Sequence, residues 1–206
     1  MSVPCANIRL MTSAKGKDRW AVVDVETTGT DPRTCRVISV AALAMTDSGK
    51  VTDSVVSLLD ADVDPGPTHI HGLTRQILCG KPRFSEIAAD LMQLLRGRTM
   101  VAHNAGFDYA FLAAEARRAG IRLPVDSVMC TVELASNLDL GIGNHKLATL
   151  AHHWGITQAR PHDALDDTQV LAQVLTHQLA IANETGVPLP LRKPDTLRPP
   201  VFRHAA

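Results

Sequence analysis

The ten residues WAVVDVETTG, 20–29, read as a β-strand interrupted by two acids. Apolar and β-branched residues lead in, and Thr27, Thr28 and Gly29 mark the exit into a turn. A strand sends successive side chains to opposite faces, so Asp24 and Glu26, two apart, share one face. Val22, Val23 and Val25 around them imply a strand covered on both sides, as in the middle of a sheet. Two like charges there cost on the order of several kcal/mol each unless something cationic compensates them. Asp24 and Glu26 therefore mark either a strand end emerging into solvent or a pair of oxygen ligands for a hard divalent cation such as Mg²⁺.

Working outward, strand-like stretches cover 20–26, 36–45 and 51–58, separated by Thr28-Gly29 with Asp31-Pro32 and by Asp47-Ser48-Gly49. A loop rich in Pro, Gly and Asp runs over 60–72. Helical spacing follows at 84–95 (Ile87, Leu91, Leu94, Leu95), then a short strand at 99–102 and a helix at 105–119 closed by Gly120. A strand near 125–130 and helices at 132–138, 146–154 and 163–182 complete the chain. Strands first, then helices interleaved with strands, indicate an α/β domain on a mixed sheet flanked by helices. The domain is expected over 19–183, between a loose leader (1–18) and an extended Pro- and Arg-rich tail (184–206).

Composition narrows the function classes. The formal net charge is +0 and aromatic residues make up 3% of the chain. That argues against a protein that wraps a duplex or stacks a long run of bases, and leaves open an enzyme that grips a strand end. No apolar run approaches the ~20 residues needed to span a bilayer, and no export segment is expected. Cys5, Cys35, Cys79 and Cys130 form no CxxC pair and suit free thiols in the cytoplasm.

Two further acids stand out. Asp108, in VAHNAGFD (101–108), falls in the first turns of a helix, where a carboxylate favours the positive end of the dipole. Phe111 and Leu112 follow at i+3 and i+4, so Asp108 shares a face with core residues and should either open onto a cleft or carry the cost of burial. Asn104 is the expected N-cap, and His103 is either a core histidine or a substrate contact. In HDALDDT (162–168), Asp166 heads a polar stripe through Gln169, Gln173 and His177. Asp167 heads the apolar stripe of Val170, Leu171, Val174 and Leu175. Asp167 therefore faces the sheet, Asp166 faces water, and Asp163 starts the helix. His162, off the helical register, is either an exposed loop histidine or a base reaching over a site that Asp167 lines, since an imidazole exchanges protons near neutrality. His152 and His153 read as helix surface beside Trp154.

Taken in order, VVDVETTG, IHGLT, VAHNAGFD, HKLATLAHHWGI and HDALDDT resemble the DEDDh branch of the DnaQ-like exonucleases over roughly residues 20–180. That superfamily includes the epsilon subunit of bacterial DNA polymerase III, ribonuclease T and oligoribonuclease. The resemblance implies an RNase H-like fold and a 3′-to-5′ exonuclease with two Mg²⁺ or Mn²⁺ ions about 4 Å apart. It implies Asp24 bridging both ions, Glu26 and Asp167 completing one site, Asp108 supporting the other, and His162 as general base. Thr27 and Thr28 match positions that meet the terminal nucleotide; His71, Asn104 and Phe107 match the substrate pocket. The expected partner is a single-stranded 3′ end, DNA ahead of RNA because nothing obviously reads a 2′-hydroxyl. An exoribonuclease of ribonuclease T or oligoribonuclease type is the alternative. No glutamine-plus-hydrophobic clamp motif follows the domain, which favours a stand-alone or repair exonuclease over a replicative core subunit. A remoter reading makes His162-Asp163 the doublet of an HD-type phosphohydrolase, with His69, His71 or His103 as further ligands and an all-helical fold. A catalytically silent binding module is disfavoured because all five catalytic positions are filled.

Overall fold

Nine consecutive residues, VISVAALAM, are buried along one strand, β2 (Val37–Met45), because the sheet is covered on both faces. In the computed structural model, residues 19–197 are described; the leader 1–18 and the end of the expected tail, 198–206, lie outside the described residues. β1 (Trp20–Thr27) pairs antiparallel with β2, which pairs antiparallel with β3 (Val51–Leu58). On its other edge β1 runs parallel to β4 (Thr99–Ala102), and β4 parallel to β5 (Val128–Cys130). With β6 (Leu191–Arg192) the order is β3-β2-β1-β4-β5-β6, a mixed sheet as expected. That sheet rules out the all-helical phosphohydrolase.

The side chains of β1 divide by parity between two cores. Ala21, Val23 and Val25 pack with residues of α3 (Phe84–Leu95) and α4 (Ala105–Arg118), among them Ile87, Leu91, Phe111 and Leu112. Trp20 and Val22 pack on the other face with Leu171 and Leu175 of α7 (Ala164–Thr185). α5 (Thr131–Asn137) and α6 (Leu147–His153) widen the α7 layer through Ala135 and Leu150. Asp24 and Glu26 have the parity of Trp20 and Val22, so β1 aims them towards α7. The β1–β4 ladder stops at Val22 and Val101. Past that point the ladder ends, at the carboxyl ends of the two parallel strands, where α/β folds place their sites.

Two features depart from the expectation. The loop 60–72 contains a helical turn, α1 (Thr68–His71), and is followed by a second, α2 (Arg75–Leu78), capped by Thr74 accepting from the Ile77 amide. The tail is not merely extended: Leu191–Arg192 pairs antiparallel with β5, and Arg192 forms an ion pair with Glu133. A two-residue strand carries no readable period, yet it covers the open backbone edge of β5. Across the sheet, Glu115 on α4, 1% exposed, accepts from Arg36 Nε at 2.7 Å, Arg118 Nη1 at 3.0 Å and the Val37 amide at 3.2 Å. This clamp fixes the start of β2 on α4. No helix among the described residues is long and apolar enough to cross a membrane.

Candidate active site

The carboxyl end of β1, the N-terminus of α4 and the N-terminus of α7 come together at this end of the sheet, and each brings acids. β1 carries Asp24 and Glu26, both half-buried; α4 carries Asp108, 3% exposed; α7 carries Asp167, 8% exposed. One ligand atom from each of Glu26, His162 and Asp167 lies within 4.8 Å of the other two. Glu26, His162 and Asp167 are thus brought within ligand distance of one another, and Asp24 and Asp108 are near enough to couple to them electrostatically.

Electrostatics report the crowding. Burial, then Asp108, Glu26, Asp167 and Asp163, hold the Asp24 carboxyl well above the ordinary range. Burial, then Asp167, Asp108 and Asp163, push Glu26 up to about 8. Burial also pushes Asp108 up to about 8, against hydrogen bonding from the backbone of Asp108 and Val25. Asp167 is raised by burial and held back by Gln158 and the His162 backbone. No Lys or Arg forms an ion pair with any of these four acids among the described residues. A cluster of oxygen donors, starved of cations and half open to water, fits hard divalent ions such as Mg²⁺ or Mn²⁺.

The expected substrate residues divide. Thr27 and Thr28 line the exit of β1, but their hydroxyls are engaged within the chain. Thr27 Oγ1 donates to the Gly29 carbonyl at 2.6 Å, and Thr28 Oγ1 accepts from the Arg36 amide at 3.0 Å. Gly66 presses on this turn: a Cβ there would stand 2.1 Å from the Thr28 carbonyl oxygen, and its φ is +78°. His71 is 8% exposed; Nδ1 accepts from the Leu73 amide at 3.0 Å, while Nε2 has no partner within hydrogen-bond geometry. Burial lowers its pKa, a backbone contact with Pro65 opposes the shift, and His69 and His162 lower it further; with Nδ1 accepting, the ring proton sits on Nε2. Phe107 is half-buried, its ring 4.7 Å from Phe111. Asn104 occupies the N-cap position of α4 but makes no side-chain capping bond; it is there for its left-handed backbone, φ +73°. His103 resolves as structural: Nδ1 meets Thr131 Oγ1 at 2.9 Å, and burial lowers its pKa to about 4.

HDALDDT brings one confirmation, one correction and one surprise. Asp163 caps α7, accepting from the Asp166 amide at 3.0 Å. Asp166 does not simply face water: its Oδ2 accepts from the Arg160 amide at 2.9 Å. Gln158, unremarkable in sequence, donates to Asp167 Oδ1 at 2.6 Å. Both contacts cross a turn, and helical periodicity carries no signal for them. His162 itself is exposed and has φ +65°.

The family model described as Exonuclease (RNase_T) matches residues 21–175. In sequence the chain is similar to DNA polymerase III subunit epsilon of Treponema pallidum, 32% identical over 164 residues, covering 78% of this chain and 76% of that protein. It is also similar to the 3′-5′ exonuclease DinG of Bacillus subtilis, 31% identical over 75% of this chain but 17% of that protein. Among solved structures, the nuclease domain of 3′hExo, a DEDDh family member bound to rAMP, superposes with TM-score 0.69 at 14% identity, covering 88% of this chain and 99% of that one. Escherichia coli exonuclease I in complex with a dT13 oligonucleotide gives 0.69 at 20% identity, over 82% of this chain and 42% of that one. At such identities the structures establish a shared fold.

Proposed function

From the premise that this chain belongs to the exonuclease family whose model spans residues 21–175, we propose that it removes nucleoside monophosphates from single-stranded 3′ ends. DNA is the preferred polymer and RNA the second. The observation that carries this reading is the grouping of Glu26, His162 and Asp167 within 4.8 Å, with Asp24 and Asp108 coupled to the same acids and no Lys or Arg among the described residues paired with any of the four. When bound, two Mg²⁺ or Mn²⁺ ions polarise the scissile phosphate and stabilise the departing 3′ oxygen. Asp24, Glu26 and Asp167 hold that charge from β1 and α7, and Asp108 holds it from α4. His162 stands at the exposed rim, within 4.8 Å of ligand atoms of Glu26 and Asp167. From there it takes the proton of the attacking water as its oxygen reaches phosphorus. His71 Nε2–H is a donor for the terminal nucleotide, the backbone of Thr27 and Thr28 supports it, and Phe107 and Asn104 flank its entry.

The names of the sequence relatives favour DNA, while the rAMP bound to 3′hExo keeps RNA as the second arm. A replication or repair protein is the expected partner, and the free thiols Cys35, Cys79 and Cys130 suit the cytoplasm. The test is trimming of 5′-labelled single-stranded DNA and RNA of equal sequence in Mg²⁺ or Mn²⁺. Wild type should give a ladder shortening from the 3′ end, and Asp167→Asn none. His162→Ala should run about 10²–10⁴-fold slower. Cleavage that survives chelation, or equal rates in all three proteins, would sink the assignment.

A further inference from the structure

The segment that carries His162 is fastened to α7 at three alternate residues. Gln158 donates its side-chain Nε2 to Asp167 Oδ1 at 2.6 Å. Arg160 donates its amide to Asp166 Oδ2 at 2.9 Å, and His162 donates its amide to Asp167 Oδ2 at 3.1 Å. The first and last of these bonds grip the two oxygens of one carboxylate from opposite ends of residues 158–162. A carboxylate in the first turn of a helix, with one face open to a cleft, otherwise keeps its torsional freedom. Two donors on different oxygens remove it. The hold matters equally to the segment, because His162 has φ +65°, a region that a side chain with a Cβ rarely adopts without outside support.

We propose that Gln158 is a positioning residue, holding the Asp167 carboxylate in its ligand orientation opposite Glu26 and, through that carboxylate, the segment that presents His162. The inference rests on the exonuclease reading of the cleft. The residue type suits the role. A neutral amide orients an acid without cancelling its charge, whereas Lys or Arg at this place would compete with the divalent ion for the same oxygens. Groups that orient a ligand in this way typically change metal affinity or activity about 10–100-fold when removed.

The test uses the full chain with Gln158→Met, which keeps the length of the side chain and loses the donor, and Gln158→Ala as a second variant. Mn²⁺ affinity is measured by calorimetry without nucleic acid, kcat and KM on a single-stranded dT oligonucleotide, and folding by urea denaturation in EDTA. The expected result is Mn²⁺ binding weakened about 10-fold and kcat lowered about 10-fold or more, with KM and the urea midpoint little changed. A folded variant that binds Mn²⁺ as wild type does overturns the inference, whatever its kcat. So does a lowered midpoint with unchanged affinity, the signature of a simple loop brace. Wild type that neither binds Mn²⁺ nor trims the oligonucleotide overturns the exonuclease reading itself, which separates the two failures.

Discussion

Glu26→Gln is expected to stabilise the metal-free protein while abolishing its activity. In the folded chain Glu26 faces Asp167, Asp108 and Asp163 from a half-buried position, and its pKa moves from 4.5 to about 8. The folded state thus binds this proton more tightly than the unfolded chain does. Between pH 4.5 and 8 it carries more protons than the unfolded state, so stability falls as pH rises through that window. At about 1.4 kcal/mol per pH unit, the upper bound for this group by pH 8 is about 5 kcal/mol. Water reaches one side of Glu26 and screens it, so about 2–3 kcal/mol is the working figure. Gln has nearly the same volume and no charge to lose. In EDTA at pH 8 its urea midpoint should therefore rise by about 1 M, given slopes of about 1–3 kcal/mol per molar for small domains. At pH 4.5 the two proteins should unfold together. Adding Mn²⁺ should reverse the order at pH 8, since an ion at about 1,000 times its Kd stabilises only the binding-competent protein, by about 4.1 kcal/mol. A variant no more stable than wild type at pH 8, or a difference constant from pH 4.5 to 8, would refute the claim that these acids are held against their own repulsion.

Glu115→Gln should lower stability by about 3 kcal/mol in urea unfolding, because it strips the buried charge that faces Arg36 and Arg118. Its kcat per folded molecule should stay at the wild-type value, since the Glu115 carboxylate bonds Arg36, Arg118 and the Val37 amide and none of the four acids. Gly66→Ala should cost about 1–3 kcal/mol, because it adds a Cβ against the Thr28 carbonyl at a φ of +78°. It should also lower kcat/KM by shifting the turn that follows Glu26. Gly72→Ala is the control: its φ is +71° but nothing lies within 4 Å of the new Cβ, so thermal unfolding should register only about 1 kcal/mol and activity should hold.

Where a period exists, the sequence reads through to the structure. The parity of β1 put Asp24 and Glu26 on one face, and the i+3/i+4 stripe of α7 separated Asp167 from Asp166. Both follow from side chains that repeat along an element, and both are seen in the two cores that flank β1. β6 was illegible for the opposite reason. Leu191 and Arg192 are two exposed residues among prolines, and what makes them a strand is the uncovered edge of β5, which no local pattern announces. Asn104 takes the N-cap position of α4 as the sequence predicts, but by a different means. Asn is frequent at that position for its side-chain acceptor, whereas Asn104 serves by tolerating a left-handed backbone.

The same division runs through the cleft. The four acids and His162 were findable because each sits where its residue type is costly or out of register, and a cost demands a reason. Gln158 is polar, half-buried and in a loop, where a glutamine needs none. Its meaning comes only from a partner nine residues on, and a single chain gives no rule linking those positions. Asp166 shows why a helical wheel is an incomplete guide at a first turn. There the neighbours of an acid include the segment entering the helix, and a stripe that would face water further along instead receives the Arg160 amide. On the proposed function HDALDDT supplies one cap, one tether, one ligand and one base, and the residues before it matter as much as those within. A histidine with a left-handed backbone beside an acid cluster is held in place by its own amide, and by Gln158 behind it, both bonded to Asp167.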